Sequence, residues 1–148
     1  MSLHEKLGGS IKSAMLARDA DRLGTLRLLK SALGYAAIEK KKDVLDDAEF
    51  IAVVQKEVKK RRDAMEQYQS GGRPELAAKE KTELAVLEEF LPAALSAAEL
   101  EALVKSCIQE TGATSKKDMG NVIRAVQAKA AGRAEGKVIS QLVGSLLS

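Results

Sequence analysis

The chain of 148 residues is poor in the side chains on which metal and redox chemistry depend. It has one Cys, one His, no Trp, two Tyr and two Phe. A single Cys forms no internal disulfide, and one Cys with one His falls short of the four N or S ligands of a usual zinc site. We therefore expect no disulfide, no bound metal and no cofactor.

Long apolar runs are also missing. No stretch approaches the roughly 18 apolar residues of a membrane-spanning helix, and the N-terminus carries Glu5, Gly8 and Gly9 where a signal peptide has an apolar block. The net charge of +3 is mildly basic, which permits a nucleic-acid partner without requiring one. These features predict a soluble, cytoplasmic protein that has no membrane partner.

The motifs of catalysis are missing as well. The sequence has no glycine-rich nucleotide loop and no Gly-x-Ser-x-Gly elbow. Cys107 lies on an apolar stripe, and His4 is the one histidine that could activate it as a base. We therefore interpret Cys107 as a core residue, assign no catalytic residue, and expect no catalysis by the chain alone.

Apolar residues repeat throughout with the period of an α-helix, and no stretch alternates with period two. Ser2 with Glu5, and Ser96 with Glu99, have the spacing of a capping box at a helix start. Pro92 to Ser96 forms a natural hinge. The sequence predicts an all-α protein, with a bundle of about four helices in residues 1–92 and a three-helix domain in residues 93–148.

The densest basic run is Lys59 to Arg62. Placed at 100° per residue, Arg62 falls on the apolar face of the third predicted helix, and Glu80 and Glu83 fall on the apolar face of the fourth. If these helices form an antiparallel hairpin, Arg62 meets one of the two acids. We interpret the three residues as a structural ion pair that fixes the register, rather than as a ligand site.

The C-terminal domain contains a more specific candidate for binding. Two glycines, Gly132 and Gly136, permit positive φ in a turn that leads into the last helix, whose N-terminus attracts anions. Spacing alone favours a solvated surface for the cations nearby. The candidate RNA-binding cations are Lys116, Lys117, Arg124, Lys129, Arg133 and Lys137.

Four segments resemble a known family. Asp118–Ile123 and Gly132–Val143 look like the tail motif of the GatB/YqeY family, and Leu26–Ala32 and Glu88–Pro92 resemble the free-standing YqeY-like proteins. The similarity extends over essentially the whole chain. Ile123 stands where the family commonly has Met, which is a conservative difference.

The resemblance implies a link to tRNA. The same tail ends the B subunit of the tRNA-dependent Asp/Glu amidotransferase, a carbon–nitrogen ligase with glutamine as amido donor, where it contacts tRNA while other domains perform the chemistry. Since those domains are absent here, the resemblance implies a tRNA-linked binding or adaptor protein. The alternative is a protein–protein interaction module without RNA contact. The scarcity of aromatics disfavours single-strand recognition by base stacking and favours structured RNA.

Overall fold

The computed structural model describes residues 1–147, which form seven α-helices and one 3-10 turn, with no strand among them. The predicted all-α class is therefore confirmed. In chain order the elements are α1 (Leu3–Leu16), α2 (Ala20–Glu39), α3 (Asp47–Ser70), α4 (Pro74–Glu88), α5 (Ala97–Thr111), the 3-10 turn (Lys116–Asp118), α6 (Met119–Ala130) and α7 (Gly136–Leu146).

The chain divides into two compact units. The first unit, Met1–Leu91, contains α1 to α4, and the second begins at Pro92 and contains α5 to α7 with the 3-10 turn. Each unit has its own apolar core. That each unit is an independently folding domain stays a prediction.

In the first unit, local capping decides where helices begin. The Ser2 hydroxyl accepts from the backbone N–H of Glu5 and the Glu5 carboxylate accepts from that of Ser2, which completes the predicted capping box of α1. Asp46 and Glu49 do the same for α3. The core behind these helices includes Phe50 and Phe90, whose ring centroids lie 6.1 Å apart.

Glu49 also fixes the end of α2 to the start of α3. Its carboxylate lies 2.7 Å from Lys42 Nζ and 3.3 Å from Lys40 Nζ. The hydrogen bond from Lys42, with that from the Asp46 backbone, lowers the pKa of Glu49 to about 2. Two lysines of the run after α2 therefore have an intramolecular partner.

Polar contacts fasten α1 and α2 to the end of α4. The Arg22 guanidinium donates to both carboxylate oxygens of Glu89, at 2.6 and 2.9 Å. This bidentate contact raises the pKa of Arg22 and lowers that of Glu89. Lys6 Nζ donates to the Glu89 carbonyl and lies 5.2 Å from the centroid of the Phe90 ring.

The helices α3 and α4 form the predicted hairpin, joined at Gly72, whose φ of 72° suits glycine. Arg61, rather than the expected Arg62, lies against Glu80 and Glu83: its Nη1 is 3.1 Å from Glu80 and also donates to Glu83. Arg62 Nη2 is 3.4 Å from Glu88 Oε1. In the helical projection Arg61 falls beside Val54, at the opposite edge of the apolar face from Arg62.

The second unit packs three helices around small aliphatic side chains. Val104 and Cys107 of α5, Val122 and Val126 of α6, and Val143 of α7 are fully buried. Burial raises the pKa of the Cys107 thiol. The cysteine is thus a core residue, in agreement with its place on an apolar stripe.

Candidate nucleic-acid interface

Lys116 and Lys117 occupy the 3-10 turn before α6, and both are exposed. The Ser115 hydroxyl accepts from the Lys117 N–H at 3.4 Å, and Asp118 Oδ2 accepts from the Thr114 N–H at 3.1 Å. Ser115 thus caps the 3-10 turn, and the sixth α-helix starts directly after the turn, at Met119. The turn holds two adjacent ammonium groups next to the start of α6.

Arg124 extends the same surface along α6. Val122, Val126 and Ala130 face the core, and Arg124 lies on the opposite side of the helix, where it is exposed. Its Nη2 donates to Asn121 Oδ1 at 2.6 Å, one turn earlier. Asn121 and Arg124 lie one turn apart on α6, whereas Lys116 and Lys117 belong to the 3-10 turn that leads into this helix.

The sequence has no acidic residue between Met119 and Ala134, although Arg124, Lys129 and Arg133 lie in that interval. Helix α6 therefore has a positive outer surface without carboxylates of its own to neutralise it. We name the set Lys116, Lys117 and Arg124 the α6 basic face.

Lys129 has an intramolecular partner. Its Nζ lies 2.5 Å from Glu110 Oε2, so it joins the end of α6 to the end of α5. The hydrogen bond that it donates to Glu110 raises the pKa of Lys129. Lys129 remains 43% exposed, but its charge is compensated.

Arg133 is a structural anchor of the loop before α5. Its Nε donates to the Ala93 carbonyl at 2.9 Å, and its own carbonyl accepts from the Leu95 N–H at 2.8 Å. Its Nη2 is 3.8 Å from Glu99. These contacts tie the loop between α6 and α7 to residues 93–95.

The turn before α7 differs from its prediction. Positive φ occurs at Ala131 (47°) and Gly132 (86°), whereas Gly136 is the first residue of α7. Glu135 is the N-cap residue of α7, so an acidic side chain stands at the helix end where the sequence indicates an anion site. Lys137 lies in the first turn of α7 and is exposed.

All six predicted cations are thus on the surface, but their surroundings differ. The α6 basic face comprises the 3-10 turn and the exposed side of α6, Lys129 and Arg133 are engaged with other parts of the unit, and Lys137 lies on α7. The acid-free interval could have been read from the sequence. The Arg133 anchor could not, because its partner is a backbone carbonyl 40 residues away.

Residues 1–147 give less support to a metal site, a membrane-spanning helix or an apolar contact site on the second unit than to the cationic surface. No three His, Cys, Asp or Glu side chains come together there as ligands for a metal ion. No helix among those residues is long and apolar enough to span a bilayer. In the described part of the second unit, Val138 is the one large apolar side chain that is exposed, at 43%.

Comparison with known proteins decides the family. A family model described as "Yqey-like protein" matches residues 4–147. The chain belongs to the YqeY-like family. The family predicted from the sequence motifs is therefore confirmed, and all four motif segments lie within the matched residues.

Fungal proteins are among the relatives of this YqeY-like chain. An uncharacterised protein of Schizosaccharomyces pombe is 36% identical over 90 residues, which are 61% of this chain and 69% of the relative. A Pyrenophora tritici-repentis protein named altered inheritance of mitochondria protein 41, mitochondrial, is 27% identical over 95% of this chain and 80% of its own. Since that name refers to mitochondria, cytoplasmic localisation stays a prediction.

Proposed function

We propose that this protein is a tRNA-binding adaptor whose second unit contacts the phosphate backbone of structured RNA. The observation that carries the proposal is the α6 basic face: three exposed cations, two in the 3-10 turn beside Asp118 and one on α6, a helix that contains no acid. Cations on such a surface exchange condensed counterions for phosphates, which is the main source of affinity in backbone recognition.

The kind of RNA follows from what the second unit lacks. From Pro92 onward the sequence contains no Phe, Tyr or Trp. Recognition of single strands depends on stacking bases on aromatic rings, whereas double-helical RNA is recognised by shape and by phosphate and 2′-hydroxyl contacts. The folded stems of tRNA therefore suit this surface. The link to an amidotransferase rests on the tail motif, and no step of amide transfer is assigned to this chain.

The test is filter binding of tRNA at several salt concentrations. We expect the affinity of the wild-type protein to fall steeply with salt. Lys116→Gln with Lys117→Gln should reduce the slope of log K against log salt by about one for each phosphate that the variant no longer neutralises. Arg124→Gln adds to the effect. Arg133→Glu is a poor probe, because it removes the anchor to Ala93 as well as a charge.

The matched control changes the same charges elsewhere. Lys79→Gln with Lys81→Gln alters two exposed lysines on α4 of the first unit. We expect this variant to bind tRNA like the wild type. Equally weakened binding in both variants would show attraction by net charge alone, and unchanged binding of the Lys116 and Lys117 variant would contradict the proposal.

A protein–protein interaction module remains the second candidate, and the first unit favours it. Leu28, Tyr35 and Ile38 of α2 are 58, 72 and 73% exposed. Large apolar side chains that cluster on a surface are typical of contact sites for proteins. Retention of a protein partner after nuclease treatment, with no tRNA bound by the purified chain, would favour this candidate.

A further inference from the structure

An open apolar groove lies in the first unit between α1 and α2. Its volume is about 330 Å³, at the lower end of the range of roughly 300–1,000 Å³ for ligand sites. The segment between α2 and α3 closes one end. The lining residues that matter here are Gly8 and Ile11 of α1, Lys30, Leu33 and Gly34 of α2, and Asp43.

The floor of the groove is apolar, and two helical glycines line it. Leu7 and Leu33 are buried beneath it. A Cβ atom added at Gly8 or at Gly34 would meet no atom within 4 Å, so a larger side chain at either position would project into open space.

The rim of the groove is basic. Lys30 lines it, Arg27 precedes Lys30 by three residues, and Lys12 follows Gly8 by four, so the last two lie on the adjoining helix faces. All three are exposed, and none forms an ion pair within residues 1–147. Lys40 and Lys42, by contrast, share Glu49. Asp43 is the one acid that lines the groove.

We propose that this groove binds an acidic amphipathic helix of a protein partner. Apolar side chains at spacings of three and four residues would fill the groove, as in other helix-in-groove complexes. Flanking Asp or Glu residues would pair with Lys12, Arg27 and Lys30, three cations that form no ion pair in the described chain. RNA would satisfy these cations but would leave exposed apolar lining such as Val44, which is 64% exposed, without a partner.

The experiment begins with a random-peptide display library selected on the full-length protein. We expect enriched peptides to combine a helical apolar stripe with Asp and Glu, and the best peptide, synthesised with a dye, to bind in fluorescence anisotropy. Its affinity should fall with salt because the rim contacts are ionic. Enrichment of basic peptides, or no enrichment, overturns the proposal.

Variants then locate the site. Gly34→Leu fills the groove without meeting other atoms at its Cβ, and we expect it to weaken peptide binding at least tenfold, about 1.4 kcal/mol. Gly24→Leu is the matched control, since Gly24 is equally open on the same helix but does not line the groove. Circular dichroism verifies that both variants fold. Equal effects of the two substitutions contradict the assignment.

The charge of the rim is tested in the same assay. Arg27→Glu with Lys30→Glu should weaken binding of the acidic peptide at least tenfold, whereas Lys56→Glu with Lys59→Glu, on exposed positions of α3, should leave its affinity unchanged.

A second copy of the chain is the competing occupant. Sedimentation that shows a dimer dissociated by Gly34→Leu, but not by Gly24→Leu, would assign the groove to self-association and overturn the proposal.

Discussion

At the scale of single residues, burial separates two neighbouring arginines into different roles. Arg61 has a side chain that is only 15% exposed and is held between Glu80 and Glu83, which are both 18% exposed. Arg62 is 34% exposed and reaches Glu88 near the end of α4. The pair that fixes the α3–α4 register is therefore centred on Arg61, although the pattern of the sequence predicts Arg62.

Arg61 should be the costlier arginine to remove. Arg61→Ala leaves two partly buried carboxylates facing each other, and we expect the free energy of unfolding to fall by about 2–3 kcal/mol, somewhat below the 3–5 kcal/mol of fully buried pairs. Urea unfolding measures it. The control is the neighbouring residue Lys60, whose ion pair with Glu57 lies at the surface. Lys60→Ala should lower the free energy of unfolding by under about 1 kcal/mol.

Neutralising Glu80 and Glu83 tests whether uncompensated charge is the cause of this loss of stability. Adding Glu80→Gln and Glu83→Gln to Arg61→Ala should recover part of the stability, since the repulsion disappears with the charges. A triple variant no more stable than Arg61→Ala would show that the missing packing of the arginine, rather than uncompensated charge, is the cause.

At the scale of elements, the sequence specifies helix starts locally and helix ends less so. Ser2, Asp46 and Ser96 all accept the N–H three residues on, as their spacing to Glu predicts. The sequence predicts positive φ at Gly132, yet the left-handed conformation begins one residue earlier, at Ala131. An alanine gives no sign of this, because the left-handed conformation is unfavourable for a residue with a Cβ atom.

Ala131 is consequently a place where the second unit can be stabilised. Its φ of 47° is unfavourable for a residue with a Cβ, and Ala131→Gly should raise the free energy of unfolding by about 1 kcal/mol. Ala128→Gly, an exposed position inside α6, should lower it by about the same amount. Thermal unfolding of both variants is the measurement. A less stable Ala131→Gly variant would contradict the assigned strain.

At the scale of the molecule, periodicity predicted the number and class of the helices because each has an apolar stripe that its unit buries. The candidate site was predicted less completely. Exposure of the six cations follows from the pattern, but the compensation of Lys129 by Glu110 and the anchoring of Arg133 at Ala93 depend on how the helices of the second unit pack. The groove between α1 and α2 also arises only in three dimensions.

The two units should fold separately. Residues 1–91 and 92–148 each have a core, and we expect each fragment to show helical circular dichroism and cooperative thermal unfolding. The shorter fragment should be the less stable, because a small domain buries a smaller share of its surface. If either fragment stays unfolded alone, the two units are compact parts of one fold and not independently folding domains.

The division into units also separates the spectroscopic groups of the chain. All four Tyr and Phe residues and the one His lie before Pro92, and the one thiol, Cys107, is buried in the second unit. Tyrosine fluorescence therefore reports on the first unit alone, and the rate at which a thiol reagent modifies Cys107 reports on opening of the second. The native protein thus carries one probe in each unit, so that changes in either unit can be followed without substituting a residue.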